Sequence, residues 1–167
     1  MALCDLTPLI EKARELGAVD VAFLPASEVV VAHWVRLKCQ FGCGDYGKYR
    51  TCPPYTPDAE EMKKILSEYN QVMLIKATGH NEATGVVVKL LGWLYSQGEF
   101  KAFPLGSGRC RLCETCNLEN CKYPHMAYPS MEACSIDVFE TIRRVGWRRD
   151  ETGPNGQYMH FGAVLLW

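Results

Sequence analysis

Gln71-Val-Met-Leu-Ile-Lys-Ala-Thr78 followed by Asn81–Gln97 decides the fold class. The first stretch is a short apolar run of strand length, and the second has the apolar density and length of a largely buried helix, with Gly85 and Gly92 inside it. A strand that passes into a buried helix points to layered α/β structure. The pattern repeats outward. Leu6–Leu16 carries Leu6, Leu9, Ile10, Ala13 and Leu16 at helical spacing and stops at Gly17, and Val19–Leu24 reads as a buried strand. Val29–Leu37 is rich in β-branched and aromatic residues and predicts a second extended segment running into Cys39. Thr56-Pro57-Asp58 predicts a helix to about Tyr69, with Thr56 as N-cap and Pro57 at the first helical position. Phe100–Leu105 predicts a short strand, Ser130 a cap for a last helix to Val145, and Tyr158–Leu166 a closing strand. The expectation is one α/β domain over 1–167, a layered sandwich with a mixed sheet and two cysteine-rich loops, 39–57 and 109–125, at one end.

The chain has 167 residues, a net charge of -1 and nine cysteines. That length suffices for a real core. The balanced charge argues against a nucleic-acid partner. No secretory leader or membrane-length apolar run is visible, so the chain reads as a cytoplasmic protein without a membrane partner. In that compartment clustered thiols signal metal or redox chemistry rather than disulfides.

Cys110-Arg-Leu-Cys113-Glu-Thr-Cys116-Asn-Leu-Glu-Asn-Cys121 packs four thiols as C-x2-C-x2-C-x4-C. A short loop has no interior in which to bury them. Three sulfurs at steps of three suit three corners of an iron–sulfur cubane, with Cys121 as the fourth. A zinc knuckle is the alternative, although zinc sites separate two C-x-x-C pairs by a longer spacer. Arg109, Arg111 and Lys122 flank the run, where cations would stabilise a reduced cluster.

Cys39-Gln-Phe-Gly-Cys43-Gly-Asp-Tyr-Gly-Lys-Tyr-Arg-Thr-Cys52-Pro-Pro54 is the second cluster. Gly42, Gly44 and Gly47 let the backbone fold sharply. They match a dinucleotide fingerprint by letter only, because no helix is expected after them. A radical-SAM motif fails because Tyr46 stands where its third cysteine belongs. Three thiols form a centre one protein ligand short: Cys134, Cys4 or His125 completes it, or an exogenous group does. The bland alternative is that these cysteines fill a small core. Tyr46, Lys48 and Tyr55 either brace this loop or face a substrate. His33, His80 and His160 read as isolated structural histidines. Arg143, Arg144, Arg148 and Arg149 around Trp147 read as a solvated helix end, or as a dock for an acidic redox partner or a phosphorylated ligand.

These residues resemble a prokaryotic family of predicted metal-binding proteins, a cysteine-rich domain of unknown function of iron–sulfur type. The matching elements are Val35-Arg36-x-Lys38-Cys39-x3-Cys43-x2-Tyr46-Gly47-Lys48-x3-Cys52-Pro53-Pro54-Tyr55-x-Pro57, the Cys110–Cys121 run, and Pro129-Ser130-Met131-Glu132-Ala133 with Ile136-Asp137-Val138. The resemblance implies seven metal-ligand cysteines: Cys39, Cys43, Cys52, Cys110, Cys113, Cys116 and Cys121. Its pattern carries Gly where this chain has Ser135 and does not call for Cys134. The expected function is a cytoplasmic [4Fe–4S] protein, with one cluster or two, that exchanges electrons with a redox partner protein or acts on a small-molecule substrate. The alternative is a non-catalytic zinc module or redox sensor.

Overall fold

The computed structural model describes residues 5–167. Four strands, β1 (Asp20–Pro25), β2 (Gln71–Ala77), β3 (Phe103–Leu105) and β4 (His160–Leu166), form an open sheet in the order β1-β2-β4-β3. Every neighbouring pair is antiparallel. The α/β class therefore holds, and the expected mixed sheet is corrected to an antiparallel one. The reason lies in β4. The unit β2–α4–β3 brings two parallel strands together by a helical crossover, but the C-terminal strand inserts between them and pairs antiparallel with both.

Alternation along β2 sorts its side chains to two cores. Val72 and Leu74 pack with Met62 and Leu66 of α3 (Ala59–Leu66) and Ile142 of α5 (Val138–Arg144). Met73 and Ile75 pack with Leu9 and Ala13 of α1 (Thr7–Glu15) and with Val86, Leu90 and Leu94 of α4 (His80–Ser96). The sheet is thus covered on both faces, which is why β2 reads as an uninterrupted apolar run. Each of its fully buried side chains contributes roughly 1.5–3 kcal/mol of transfer free energy. Among the described residues, no helix is long and apolar enough to cross a membrane.

Three local expectations are corrected. Only 29–32 of the segment expected to be extended is so: Val31 bridges Ile136, and Ala32 N–H donates to the Ser135 carbonyl at 2.9 Å. From His33 the chain is helical, α2 (His33–Gly42), because the β-branched run ends at Val31 and the residues beyond include the helix formers Arg36, Leu37, Lys38 and Gln40. Cys39 therefore sits on a helix, not in a loop. Asp58 rather than Thr56 caps α3, in a reciprocal box with Glu61 (2.9 and 3.0 Å). Thr56 is buried instead, and its hydroxyl donates to the Ala133 carbonyl.

The single last helix expected from Ser130 is broken in two. Ser130 Oγ accepts from Ala133 N–H at 3.2 Å and starts only the 3₁₀ turn Glu132–Cys134. Asp137 then caps α5 by accepting from Glu140 N–H at 3.0 Å. Between them Ser135 is left-handed, with φ 62°, the one positive-φ non-glycine among the described residues. Its buried hydroxyl has no hydrogen-bond partner. A left-handed L-residue costs roughly 1–2 kcal/mol, partly offset by the unfolded-state entropy a glycine brings. Ser135→Gly is therefore expected to stabilise the chain by about 1 kcal/mol, read as a melting temperature raised by roughly 2–4 °C.

Candidate metal centre

Cys39 and Cys43 are four residues apart at the C-terminal end of α2, and both line a cavity of about 490 Å³ with Trp34, Lys38 and Glu132. Cys52 belongs to the irregular turn beyond. There Cys52 N–H donates to the Tyr49 carbonyl at 2.9 Å, and Gly47 N–H to the Pro53 carbonyl at 2.8 Å. Gly47, at φ 73°, supplies the left-handed bend. The bond between Pro53 and Pro54 is cis. Burial, then Cys43, Asp45 and Cys39, push the Cys52 thiol up to about 11. Burial, then Cys43 and Glu132, raise Cys39 against the pull of Arg36. The three thiols thus lie within electrostatic reach of one another.

Two hydrogen bonds fix the frame around them. Arg36 of α2 donates to the Thr56 carbonyl at 2.9 Å, and the Thr56 hydroxyl reaches the Ala133 carbonyl. Helix α2, the Cys52 turn and the Glu132–Cys134 turn are thereby joined. Of the expected fourth ligands, Cys134 is a member of the apolar core, 1 % exposed, with burial pushing its thiol up to about 12. His125 is exposed on the other cysteine segment, and Cys4 lies outside the described residues.

Cys110, Cys113, Cys116 and Cys121 all line a second cavity of about 490 Å³, whose far wall is Tyr49, Arg50 and Thr51. No backbone–backbone hydrogen bond involves 108–122 among the described residues. What this segment has instead is local. Asn117 Oδ1 accepts from Glu119 and Asn120 N–H at 3.1 and 3.0 Å, and Leu112 N–H donates to the Cys110 sulfur. Burial first raises Cys110, that bond opposes it, and the other three thiols raise it further. Thiolate is the ligating form, so metal uptake displaces protons here.

Arg109 joins the two cysteine segments. It pairs with Asp45 at 3.3 Å, donates to the Tyr49 hydroxyl and lies 4.9 Å over the Tyr49 ring. Arg111 and Lys122 are exposed. Tyr55 is 52 % exposed, whereas Tyr46 is half-buried. The four arginines near Trp147 are mostly occupied at the surface. Arg143 and Arg144 pair with Glu140, and Arg148 with Asp150.

All seven thiols are soft donors of the kind that hold zinc or iron–sulfur clusters, so the donor chemistry fits a metal. Among the described residues, no three or more His, Cys, Asp or Glu side chains stand as a group that could hold a metal ion as placed. Six of the thiols line cavities rather than converge on a point, and Cys52 stands on the adjoining turn.

Sequence reasoning treated His80 and His160 as isolated, yet their rings are 3.9 Å apart. His80 Nδ1 is 2.8 Å from Ser107 Oγ, beside the start of the second cysteine segment. Burial, then His160 and Arg111, lower His80 to about 4, and burial, then Arg111, lower His160 as well. Gly108 is required there: its φ is 64°, and a Cβ would meet His80 Nδ1 at 3.0 Å. Glu132 stands in the Pro129–Ala133 element of the resemblance, but its nearness to Cys39 was missed, since a lone glutamate inside a presumed helix has no metal-ligand spacing. Its approach to Cys39 depends on the long-range contact between α2 and the 3₁₀ turn.

No curated protein and no solved structure matches the chain. The model of one family, described as predicted metal-binding protein (DUF2284), matches residues 22–166. That span takes in both cavities, the six cysteines that line them and Cys52 on the adjoining turn, and the chain belongs to this family of predicted metal-binding proteins.

Proposed function

We propose that this chain is a cytoplasmic [4Fe–4S] protein that exchanges electrons with a redox partner, its clusters held by two cysteine segments at one end of a single domain. The observation that carries the reading is the placement of four thiols, at steps of three, three and five residues, around one cavity. Four thiolates complete a cubane, which supplies reversible one-electron chemistry when bound. Cys110, Cys113, Cys116 and Cys121 would hold one cluster. Cys39, Cys43 and Cys52 would hold three corners of a second. Arg109, held by Asp45 and Tyr49, links the two segments.

The direct test is purification without oxygen, with iron and acid-labile sulfide counted per chain. A brown protein with broad absorbance near roughly 400 nm and equal iron and sulfide supports the reading. A colourless protein containing zinc and no sulfide overturns it.

Charge near the 110–121 thiols gives a second expectation. A cubane gains negative charge on reduction, so removing a neighbouring cation disfavours the reduced form. Arg111→Gln is expected to lower the midpoint potential. The shift should be small and should shrink further with added salt, because Arg111 is exposed and screened. Redox titration at low and high ionic strength measures it, and an unchanged midpoint at low salt would retire the electrostatic role.

A further inference from the structure

We infer that Glu132 supplies, through its carboxylate, the fourth protein ligand of the centre built on Cys39, Cys43 and Cys52. The inference rests on the iron–sulfur reading above and completes it at the cluster that sequence left one ligand short.

Four observations converge on this residue. Glu132 lines the same cavity as Cys39 and Cys43. The residue as a whole is half-buried, but its carboxyl end points inward: Oε2 is buried and has no hydrogen-bond partner. An orphaned carboxyl oxygen costs stability unless something occupies it. The carboxyl is also oriented, because the Ser130 side chain and the residue's own backbone amide hold it while Oε2 stays free. Finally, the Arg36–Thr56–Ala133 brace ties its backbone neighbour to the helix that carries Cys39.

The competing donors are placed elsewhere. Cys134 is packed into the apolar core on the next turn position but one, and His125 stands exposed on the other segment. A carboxylate is a competent iron ligand, although harder than thiolate. With Glu132 in place, every iron of this centre has a protein ligand, as an electron carrier requires. The centre then has no open position for a small exogenous ligand.

The test uses the full chain purified without oxygen, as wild type, Glu132→Ala, Glu132→Gln and Glu132→Cys. The readouts are iron per chain and the EPR spectrum of the reduced protein with and without cyanide. Wild type should be insensitive to cyanide. Glu132→Ala should either bind cyanide, with a changed spectrum, or lose about four irons. The near-isosteric Glu132→Gln should behave the same way if the alanine variant folds poorly. Glu132→Cys should restore both the iron and the insensitivity, because it returns an anionic ligand to the same position. A wild-type centre that already responds to cyanide, or a Glu132→Ala protein identical to wild type in all readouts, overturns the assignment. The double variant Cys39→Ala with Cys52→Ala, which removes two ligands and supplies no oxygen in their place, separates the two levels of the proposal. If it leaves the iron count unchanged, no cluster resides at this segment and the underlying reading falls as well. If it loses iron while Glu132→Ala matches wild type, only the ligand assignment falls.

Discussion

Cys113→Ala is expected to strip the iron and sulfide held by the 110–121 segment and to leave the complement of the 39–52 segment in place. The anaerobically purified variant should therefore carry roughly half the wild-type iron. The asymmetry follows from how the two segments are built. The first is anchored by protein: Cys39 rides on α2, and the Arg36–Thr56–Ala133 hydrogen bonds fix the Cys52 turn without help from a metal. The second is not anchored this way. Residues 108–122 make no backbone–backbone hydrogen bond among the described residues, so bonds to the proposed cluster would be the strongest constraint available to them. Removing one corner should therefore loosen the whole segment. Limited proteolysis should cut the variant between Leu112 and Lys122, at sites protected in the loaded wild type. Cys52→Ala should give the mirror result for iron, a loss of roughly half, without the new cleavage. If either variant removes all the iron, the seven cysteines serve one shared centre instead of two.

Much of the frame was legible because its signals are local. The apolar run of β2, the helical density of α4 and the stop at Gly17 after α1 each depend on a few adjacent residues, and all three elements fall within one or two positions of expectation. Failures occur where a distant partner decides. The valines 29–31 are extended because they meet Ser135, Ile136 and Asp137, more than a hundred residues away. The aromatic and aliphatic residues that follow look like a continuation of the same strand. In α2, however, Trp34, Leu37 and Phe41 are exposed and only Val35 is buried, so apolar content there signals neither strand nor core. The break at Ser135 had a visible sign in Asp137 followed by Glu140, a capping spacing that the stronger Ser130 signal obscured. Strand order was beyond local reading altogether, since it depends on where the C-terminal strand inserts. The four thiols of one cavity were legible from spacing, whereas of the other three only Cys39 and Cys43 share a cavity. The carboxyl of Glu132 was not legible, because only the docking of the 3₁₀ turn on α2 brings it to Cys39.

Glu151→Gln is expected to destabilise the fold by about 2–3 kcal/mol at neutral pH, through the lysine it leaves behind. Lys76 lies at the end of β2 and is only 6 % exposed. Its ammonium pairs with Glu151, lies 3.8 Å from Asp20 Oδ2, and sits 4.5 Å over the ring of Trp147. Trp147 in turn donates from Nε1 to Asp20 Oδ2 at 3.1 Å, so Asp20 is already shared. Without Glu151 a buried ammonium keeps only a long contact and a ring face, which do not offset its desolvation. Removing the cation instead is milder: Lys76→Met leaves Asp20 and Glu151 partly exposed and able to rehydrate, and should cost about 1 kcal/mol or less. The pH dependence has a definite sign. The Lys76 ammonium, then the Arg148 N–H, hold the Glu151 carboxyl below the usual carboxylate range. A depressed folded-state value stabilises fully above 4.5, the group's ordinary value, and that contribution is lost as pH falls through the folded-state value. Urea midpoints of wild type and Glu151→Gln should therefore differ most at pH 7 and approach each other in acid. A gap that persists unchanged well below the ordinary carboxylate value would show that packing, rather than the ion pair, sets the cost.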